Sequence, residues 1–220
     1  GDENLNVEQF IGVLRLWRFD SPVIDTMRSP DAYRMFLTSW RGNSEEALAM
    51  YASLPAPLQR VPIVLEERSI AQINADDCEG AMASLNEAHG SEVRIYGQVR
   101  PSALRSNANL ALNRVFCWRK MGLEDEADAL LQRVDEYVTR VRNSAYLGYF
   151  TLDAKTRVLN GDPEGAIDVL ELAWNRHDVE FDVFADPVLR TLNGEPRFEQ
   201  LRKTLADHVN RERAELGWAA

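Results

Sequence analysis

The segment Gly161-Asp-Pro-Glu-Gly-Ala166 decides the fold, because the chain contains further segments of the same kind. Each has a turn residue first, mostly polar residues next and an alanine at the sixth position. Successive alanines are 34, 46 and 39 residues apart. Recurrence at such distances indicates a repeat architecture, in which one supersecondary unit is stacked several times. The other segments are Gly42-Asn-Ser-Glu-Glu-Ala47, Asp76-Asp-Cys-Glu-Gly-Ala81 and Gly122-Leu-Glu-Asp-Glu-Ala127.

The hexapeptides predict a turn between two helices. Glycine reaches the left-handed backbone conformation that ends a helix and reverses the chain, as we expect at Gly42, Gly122 and Gly161. We predict that the alanine lies where two paired helices approach most closely, because a larger side chain would push them apart.

Helix-capping residues follow the turn position. In a capping box, a short polar side chain and a glutamate three residues later each satisfy an unpaired backbone amide. Proline is favoured at the first helical position. We therefore expect caps from Asn43 with Glu46, from Asp76 with Glu79, and from Asp162 with Pro163.

Apolar residues extend the pattern on both sides of each turn. Four and seven residues after each alanine the chain is mostly apolar, as on the inner stripe of an amphipathic helix. These residues are Tyr51 and Leu54, Leu85 and Ala88, Leu131 and Val134, and Leu170 and Ala173. Upstream, apolar stretches predict first helices over residues 63–73, 104–118 and 147–159, with Ser69, Val115 and Ala154 twelve residues before an alanine.

This pattern resembles the tetratricopeptide repeat family over about residues 30–175. The resemblance implies an all-α fold, a right-handed α-α superhelix (TPR-like solenoid) of antiparallel helix pairs. The chain departs from the family pattern because the usual Trp, Leu, Gly and Tyr of the first helix are mostly replaced and two spacings are long. A related helical solenoid therefore stays open as the alternative.

We expect one domain over residues 1–220. Residues 1–30 would form N-terminal capping helices, one over residues 7–19 and others starting at Ser21-Pro22 and Ser29-Pro30. Residues 31–175 would form about four helix pairs. Residues 176–220 would form C-terminal capping helices, since the ends of a solenoid need a polar outer face.

The C-terminal segment predicts its own helix boundaries. We expect Asp186 to cap a short helix, Gly194 to end it, and Pro196 to begin a last helix reaching about Leu216. The Asp-Pro, Leu and Pro-Arg-Phe elements of this tail resemble the closing segment of tetratricopeptide regions in bacterial signalling proteins, including CadC-type transcriptional regulators. That resemblance implies the sensing or docking part of a larger bacterial protein.

Composition disfavours several classes of function. Hydrophobic residues at 45% and charged residues at 27% are typical of a globular chain that buries a core. A net charge of −10 disfavours nucleic-acid binding, which needs a basic surface. The chain has no apolar run long enough for a membrane span, and its acidic start predicts no targeting segment.

Residues capable of catalysis or metal binding do not form a recognisable motif. His89, His177 and His208 lie far apart and are interpreted as solvated surface residues, so no zinc site is predicted. Cys78 and Cys117 have no paired spacing, and we expect two buried free thiols. No nucleophile elbow or phosphate-binding loop occurs. We therefore predict no enzyme, no cofactor and no metal.

Two further groups of residues have alternative interpretations. Asp178, Glu180, Asp182 and Asp186 alternate as in a calcium loop, but Val183 and Leu189 occupy positions where that loop needs glycine and glutamate. A solvated connector with a helix cap is the preferred interpretation. Core packing is preferred over ligand stacking for the tryptophans at helical spacing, Trp17, Trp40, Trp118 and Trp174.

Basic residues are concentrated in one stretch. Residues 93–123 contain no Asp or Glu, but they contain Arg94, Arg100, Arg105, Arg114, Arg119 and Lys120. If the first helix of this pair faces the groove of a solenoid, its side chains could hold an acidic peptide or carboxylate. The candidate partner-binding residues are Asn109, Asn113, Arg114, Phe116, Arg119 and Lys120. The alternative is that the bases offset an otherwise acidic surface.

The candidate groove predicts two further features. Reversing Arg114, Arg119 and Lys120 to glutamate would abolish partner capture and leave the melting temperature nearly unchanged. The insertion over residues 90–101 is interpreted as a connector, with a mobile loop at the groove as the alternative.

The sequence thus predicts a non-catalytic protein-interaction or sensor module of a bacterial signalling or regulatory protein, which docks a peptide or partner domain. The alternatives are a small-molecule or anion-binding sensor and, third, a helical enzyme without a visible motif. The compartment, cytoplasm or periplasm, stays open.

Overall fold

The computed structural model describes residues 29–91, 101–142, 149–176 and 181–215. These residues are helical with no strand among them, so the predicted all-α class is confirmed. The expected helix over residues 7–19, the helix start at Ser21-Pro22 and most of the insertion over residues 90–101 lie outside the described residues.

Ten α-helices occur in the described residues. The helices predicted over residues 63–73, 104–118 and 147–159 are found at Pro62–Asn74, Pro101–Lys120 and Tyr149–Leu159. The helices are α1 (Pro30–Trp40), α2 (Ser44–Ser53), α3 (Ala56–Gln59), α4 (Pro62–Asn74), α5 (Cys78–His89), α6 (Pro101–Lys120), α7 (Glu124–Arg142), α8 (Tyr149–Leu159), α9 (Pro163–Asn175) and α10 (Pro196–Glu215). Two 3₁₀ helices, Phe181–Phe184 and Leu189–Leu192, precede α10.

The chain divides into two compact units, Gly1–Val134 and Asp135–Ala220. In the first unit, α1 packs with α2 and α4 packs with α5; in the second, α8 packs with α9. The turn at Gly122 joins α6 to α7. The single domain over residues 1–220 and the right-handed superhelix stay predictions.

The four hexapeptide turns share one backbone structure. Their first residues have positive φ angles: 83° at Gly42, 65° at Asp76, 77° at Gly122 and 77° at Gly161. In each turn the second residue donates its amide to the carbonyl five residues earlier, as Asp162 does to Arg157 at 2.9 Å. This bond is typical of the helix-ending motif with a left-handed residue. The alanines Ala47, Ala81, Ala127 and Ala166 are all buried, as predicted.

The caps differ from the sequence prediction in two turns. Asp77 caps α5 by accepting the Gly80 amide at 2.8 Å, so the expected capping box of Asp76 is wrong. Asp76 cannot act as the cap because it occupies the left-handed turn position. Asn43 makes no side-chain bond to α2, which contradicts the second expected box. Asp162 accepts the Gly165 amide at 2.9 Å, and this predicted cap is confirmed.

A glycine in the first turn of the helix accompanies each capping aspartate. At Gly80 an added Cβ would lie 2.1 Å from Asp77 Oδ2, and at Gly165 it would lie 2.1 Å from Asp162 Oδ2. The same oxygens accept side-chain bonds from the preceding helix, from Gln72 and Arg157 respectively. The aspartate therefore links two helices in a space that only glycine leaves open.

Replacing Gly80 or Gly165 by alanine is expected to lower the free energy of unfolding by about 1–2 kcal/mol, because the aspartate must leave its cap position. Glu46→Ala is the matched control, since Glu46 stands at the same position of a turn that has no side-chain cap. Urea denaturation followed by circular dichroism measures the difference. Equal stability of the glycine variants and the control would contradict this account.

Apolar side chains fill a separate core in each unit. In the first unit, α1, α2 and α4 share one cluster around Phe36 and Val64, and α5 and α6 share another around Leu85 and Leu110. Trp40 and Trp118 pack against these clusters, as predicted. Trp17 lies outside the described residues.

The C-terminal segment forms the core of the second unit together with α8 and α9. Leu189, Leu192 and Phe198 pack with Ala166 and Leu170. Asp186 accepts the amides of Val188 at 2.9 Å and Leu189 at 3.2 Å where the second 3₁₀ helix begins, although the N-cap position itself is Val188. The predicted start of α10 at Pro196 is confirmed. Turn residues and proline thus place these helix boundaries better than the expected caps do.

Candidate partner-binding surface

The six candidate residues of α6 divide into buried and partly exposed groups. Asn113 is fully buried and Arg114 is only 3% exposed. Asn109, Phe116 and Arg119 are half-buried, and Lys120 is exposed. The structure therefore does not place the six side chains on one accessible surface.

Arg114 connects α6 to the end of α5. Its guanidinium donates to Asn86 Oδ1 at 2.7 Å and to the Gly90 carbonyl at 2.9 Å. Burial lowers the pKa of Arg114, because the charged form loses hydration. Because both bonds are internal, Arg114 stabilises the first unit and does not face a partner, contrary to the expectation.

Phe116 and Lys120 lie together one turn apart. The Lys120 ammonium lies 5.2 Å from the centre of the Phe116 ring, within the range of a cation–π contact. It also donates to the Asp76 carboxylate in the turn between α4 and α5. This hydrogen bond lowers the pKa of Asp76 and raises the pKa of Lys120.

Arg119 faces the first turn of α7. Its guanidinium lies 2.7 Å from Asp128 Oδ1 and 3.9 Å from Glu124 Oε2. Together with the bond from Lys120 to Asp76, this pairing favours the view that the bases offset neighbouring acids. Arg94 and Arg100 lie outside the described residues, as does the side chain of Arg105.

Two exposed apolar residues flank the same turn and were not predicted. Met121 is 42% exposed and Leu123 is 38% exposed. The turn alignment contains a signal for them, because Leu123 stands where the other turns have Asn43, Asp77 and Asp162. Leucine cannot act as a helix cap. This turn therefore lacks a capping side chain and presents apolar surface to solvent.

These residues define the α6 terminal surface, which consists of Phe116, Arg119, Lys120, Met121 and Leu123. A cavity of about 580 Å³ adjoins it. Its lining residues are Asp76, Asp77, Cys78, Glu79, Lys120 and Met121. The surface thus combines apolar side chains, an aromatic ring and two cations at a single turn.

Two of the histidines and Asp186 have structural contacts, whereas Asp178, Glu180 and the side chain of Asp182 lie outside the described residues. His89 lies 2.6 Å from Glu66, and His208 meets the Trp174 ring edge-on with 5.3 Å between ring centres. His89 is exposed, as interpreted from the sequence, and His208 is half-buried. His177 lies outside the described residues. Asp186 binds Lys155, and the described side chains contain no group that could hold a metal ion.

Comparison with protein-family models, curated proteins and solved structures gives no match for this chain. Among the described helices, none is both long and apolar enough to cross a membrane.

Proposed function

We propose that this chain is a non-catalytic protein-interaction module, of the tetratricopeptide-like kind, that docks a peptide or partner domain on the α6 terminal surface. The role as part of a bacterial signalling or regulatory protein rests on the resemblance of the C-terminal tail. The observation that carries the proposal is the turn at Gly122, where Met121 and Leu123 are exposed next to the cations Arg119 and Lys120.

An acidic partner with apolar residues fits this surface. The ion pairs of Arg119 and Lys120 are exposed to water, so they contribute little to stability and can exchange for a partner's carboxylates. Met121 and Leu123 would then cover the partner's apolar side chains. Removal of exposed apolar area from water supplies the affinity, and the cations supply the orientation.

Fluorescence anisotropy with two labelled peptides tests the proposal. One peptide alternates glutamate with leucine, and the other has lysine in place of glutamate. We expect binding of the acidic peptide that weakens with ionic strength. The variant Arg119→Glu/Lys120→Glu should bind it at least about tenfold more weakly, because both attractive charges become repulsive. Met121→Ser/Leu123→Ser should also weaken binding.

Arg60→Glu/Lys203→Glu is the matched control, because it changes the net charge equally at exposed positions that do not belong to the α6 terminal surface. The control should bind like the original protein. Equal affinity of the α6 variant and the control, or preference for the lysine peptide, would rule out an acidic partner at this surface.

A small-molecule sensor is the second candidate, favoured by a separate cavity in the second unit. This cavity of about 400 Å³ lies between α9 and α10, and its lining includes Trp174, Asn175, Gln200 and Thr204. The lining also contains Glu171 and Arg197, which pair with each other, so an indole ring beside amide and hydroxyl groups suits an uncharged aromatic ligand. Arg197 already binds three carboxylates of α9, which disfavours an anion. A melting temperature that rises with ligand concentration would favour this function.

A further inference from the structure

The two cysteines of the chain lie in one core cluster. Cys78 is the first residue of α5, and Cys117 lies in the last turn of α6. Both thiols are free and buried. They share their cluster with Ala81, Leu85 and Leu110, although the sequence separates them widely.

An ion pair joins residues that lie next to the two cysteines. Lys120, one helical turn after Cys117, binds Asp76, which lies just before Cys78. Burial, followed by a hydrogen bond with the Cys78 thiol, holds the pKa of Cys117 well above its usual range. The shared cluster and the ion pair thus place the two cysteines close together.

We propose that Cys78 and Cys117 form a reversible disulfide that ties α5 to α6, with Cys78 as the residue that reacts first. Cys78 lines the cavity of about 580 Å³ together with Lys120 and Met121, and it is 7% exposed. Cys117 has no exposed surface. A small oxidant in the cavity therefore reaches Cys78 and not Cys117.

The oxidant is a hydroperoxide, and hydrogen peroxide is the simplest example. The Cys78 sulfur attacks one peroxide oxygen, the O–O bond breaks, and a sulfenic acid and water form. The Cys117 sulfur then attacks the Cys78 sulfur, the S–O bond breaks, and a second water leaves. In total, the two thiols lose two electrons and two protons, and the peroxide is reduced to water.

The raised pKa of Cys117 explains why this residue reacts second. A thiol that stays protonated in solvent-free surroundings is a poor target for oxidants. Its reaction partner is the electrophilic sulfenic sulfur of Cys78, and the proton of the Cys117 thiol leaves with the displaced hydroxide as water. The disulfide would link α5 to α6 covalently beneath the α6 terminal surface. Its formation does not depend on the proposed docking function of that surface.

The experiment treats the full chain with hydrogen peroxide and measures free thiols, intact mass and melting temperature. We expect both thiols to disappear, the monomer to lose the mass of two hydrogen atoms, and a peptide containing both cysteines to appear on tryptic mapping. The melting temperature should rise by roughly 5–15 °C, because the disulfide restricts the unfolded chain. A thiol reductant should reverse all these changes.

Two single variants test the order of reaction. In Cys117→Ala, peroxide should produce a sulfenic acid on Cys78 that dimedone traps. In Cys78→Ala, Cys117 should react at least about tenfold more slowly. Retention of both thiols, addition of oxygen without a disulfide, or a disulfide between two chains would overturn the proposal. Equal reactivity of the single variants would overturn the assigned order, and the measurements on the original chain do not require either variant to fold.

Discussion

Replacing Lys155 by methionine is expected to lower the free energy of unfolding by about 3–5 kcal/mol, because it leaves the buried Asp186 carboxylate without its counter-charge. Lys155 is completely buried in α8, and its ammonium lies 2.6 Å from Asp186 Oδ2. Asp186 also accepts the amides of Val188 and Leu189 through its other oxygen. The pair therefore attaches the C-terminal segment to the last helix pair.

A double-mutant cycle isolates the contribution of the charges. Asp186→Asn alone leaves a buried ammonium and should be similarly destabilising, whereas the double variant Lys155→Met/Asp186→Asn buries no charge. The double variant should therefore lose less stability than the sum of the single variants. Urea denaturation followed by circular dichroism and tryptophan fluorescence measures each variant, and coincident curves justify a two-state analysis. A loss below about 1 kcal/mol for Lys155→Met would contradict the assignment.

Replacing Arg114 by glutamate is the second large change, with an expected loss of about 2–4 kcal/mol. The new carboxylate would face Asn86 Oδ1 and the Gly90 carbonyl, two acceptors that now receive bonds from Arg114. Arg114→Met should cost less, because both acceptors lie at exposed residues where water can bind them. The same denaturation measurement distinguishes the two variants.

Arg119→Glu/Lys120→Glu is the control for this prediction, because both side chains are partly exposed at the end of the same helix. The control should change the melting temperature only slightly. The reversal of Arg114, Arg119 and Lys120 together should therefore lower the melting temperature, in contrast to the expectation from the sequence. A triple variant as stable as the control would show that Arg114 does not stabilise the unit.

The helix pairs were predictable because the turn signals act over a few consecutive residues. Gly42, Gly122 and Gly161 take the left-handed conformation that the sequence predicts. The capping boxes were less predictable, because Asn43 and Asp76 are both plausible caps by composition. The residue in the left-handed position cannot cap the helix. The residue after it caps the helix in the two turns where a glycine in the first helical turn leaves space for its carboxylate.

The candidate site was only partly predictable. The basic stretch lies on α6, but a list of bases does not show which of them face inward. Arg114 faces Asn86, 28 residues away, whereas Lys120 faces solvent and Asp76. The rotation of α6 about its own axis decides which of these bases are buried. Packing of α6 against α5 sets that rotation.

The sequence by itself determined the all-α class, the four turns and the buried alanines, because these follow from backbone conformation and side-chain size at adjacent positions. Only the tertiary structure decided the Lys155–Asp186 pair, whose members are 31 residues apart, and the meeting of Cys78 with Cys117. Such contacts join residues on different helices. They depend on how the helices are rotated and shifted against one another, which no local pattern specifies.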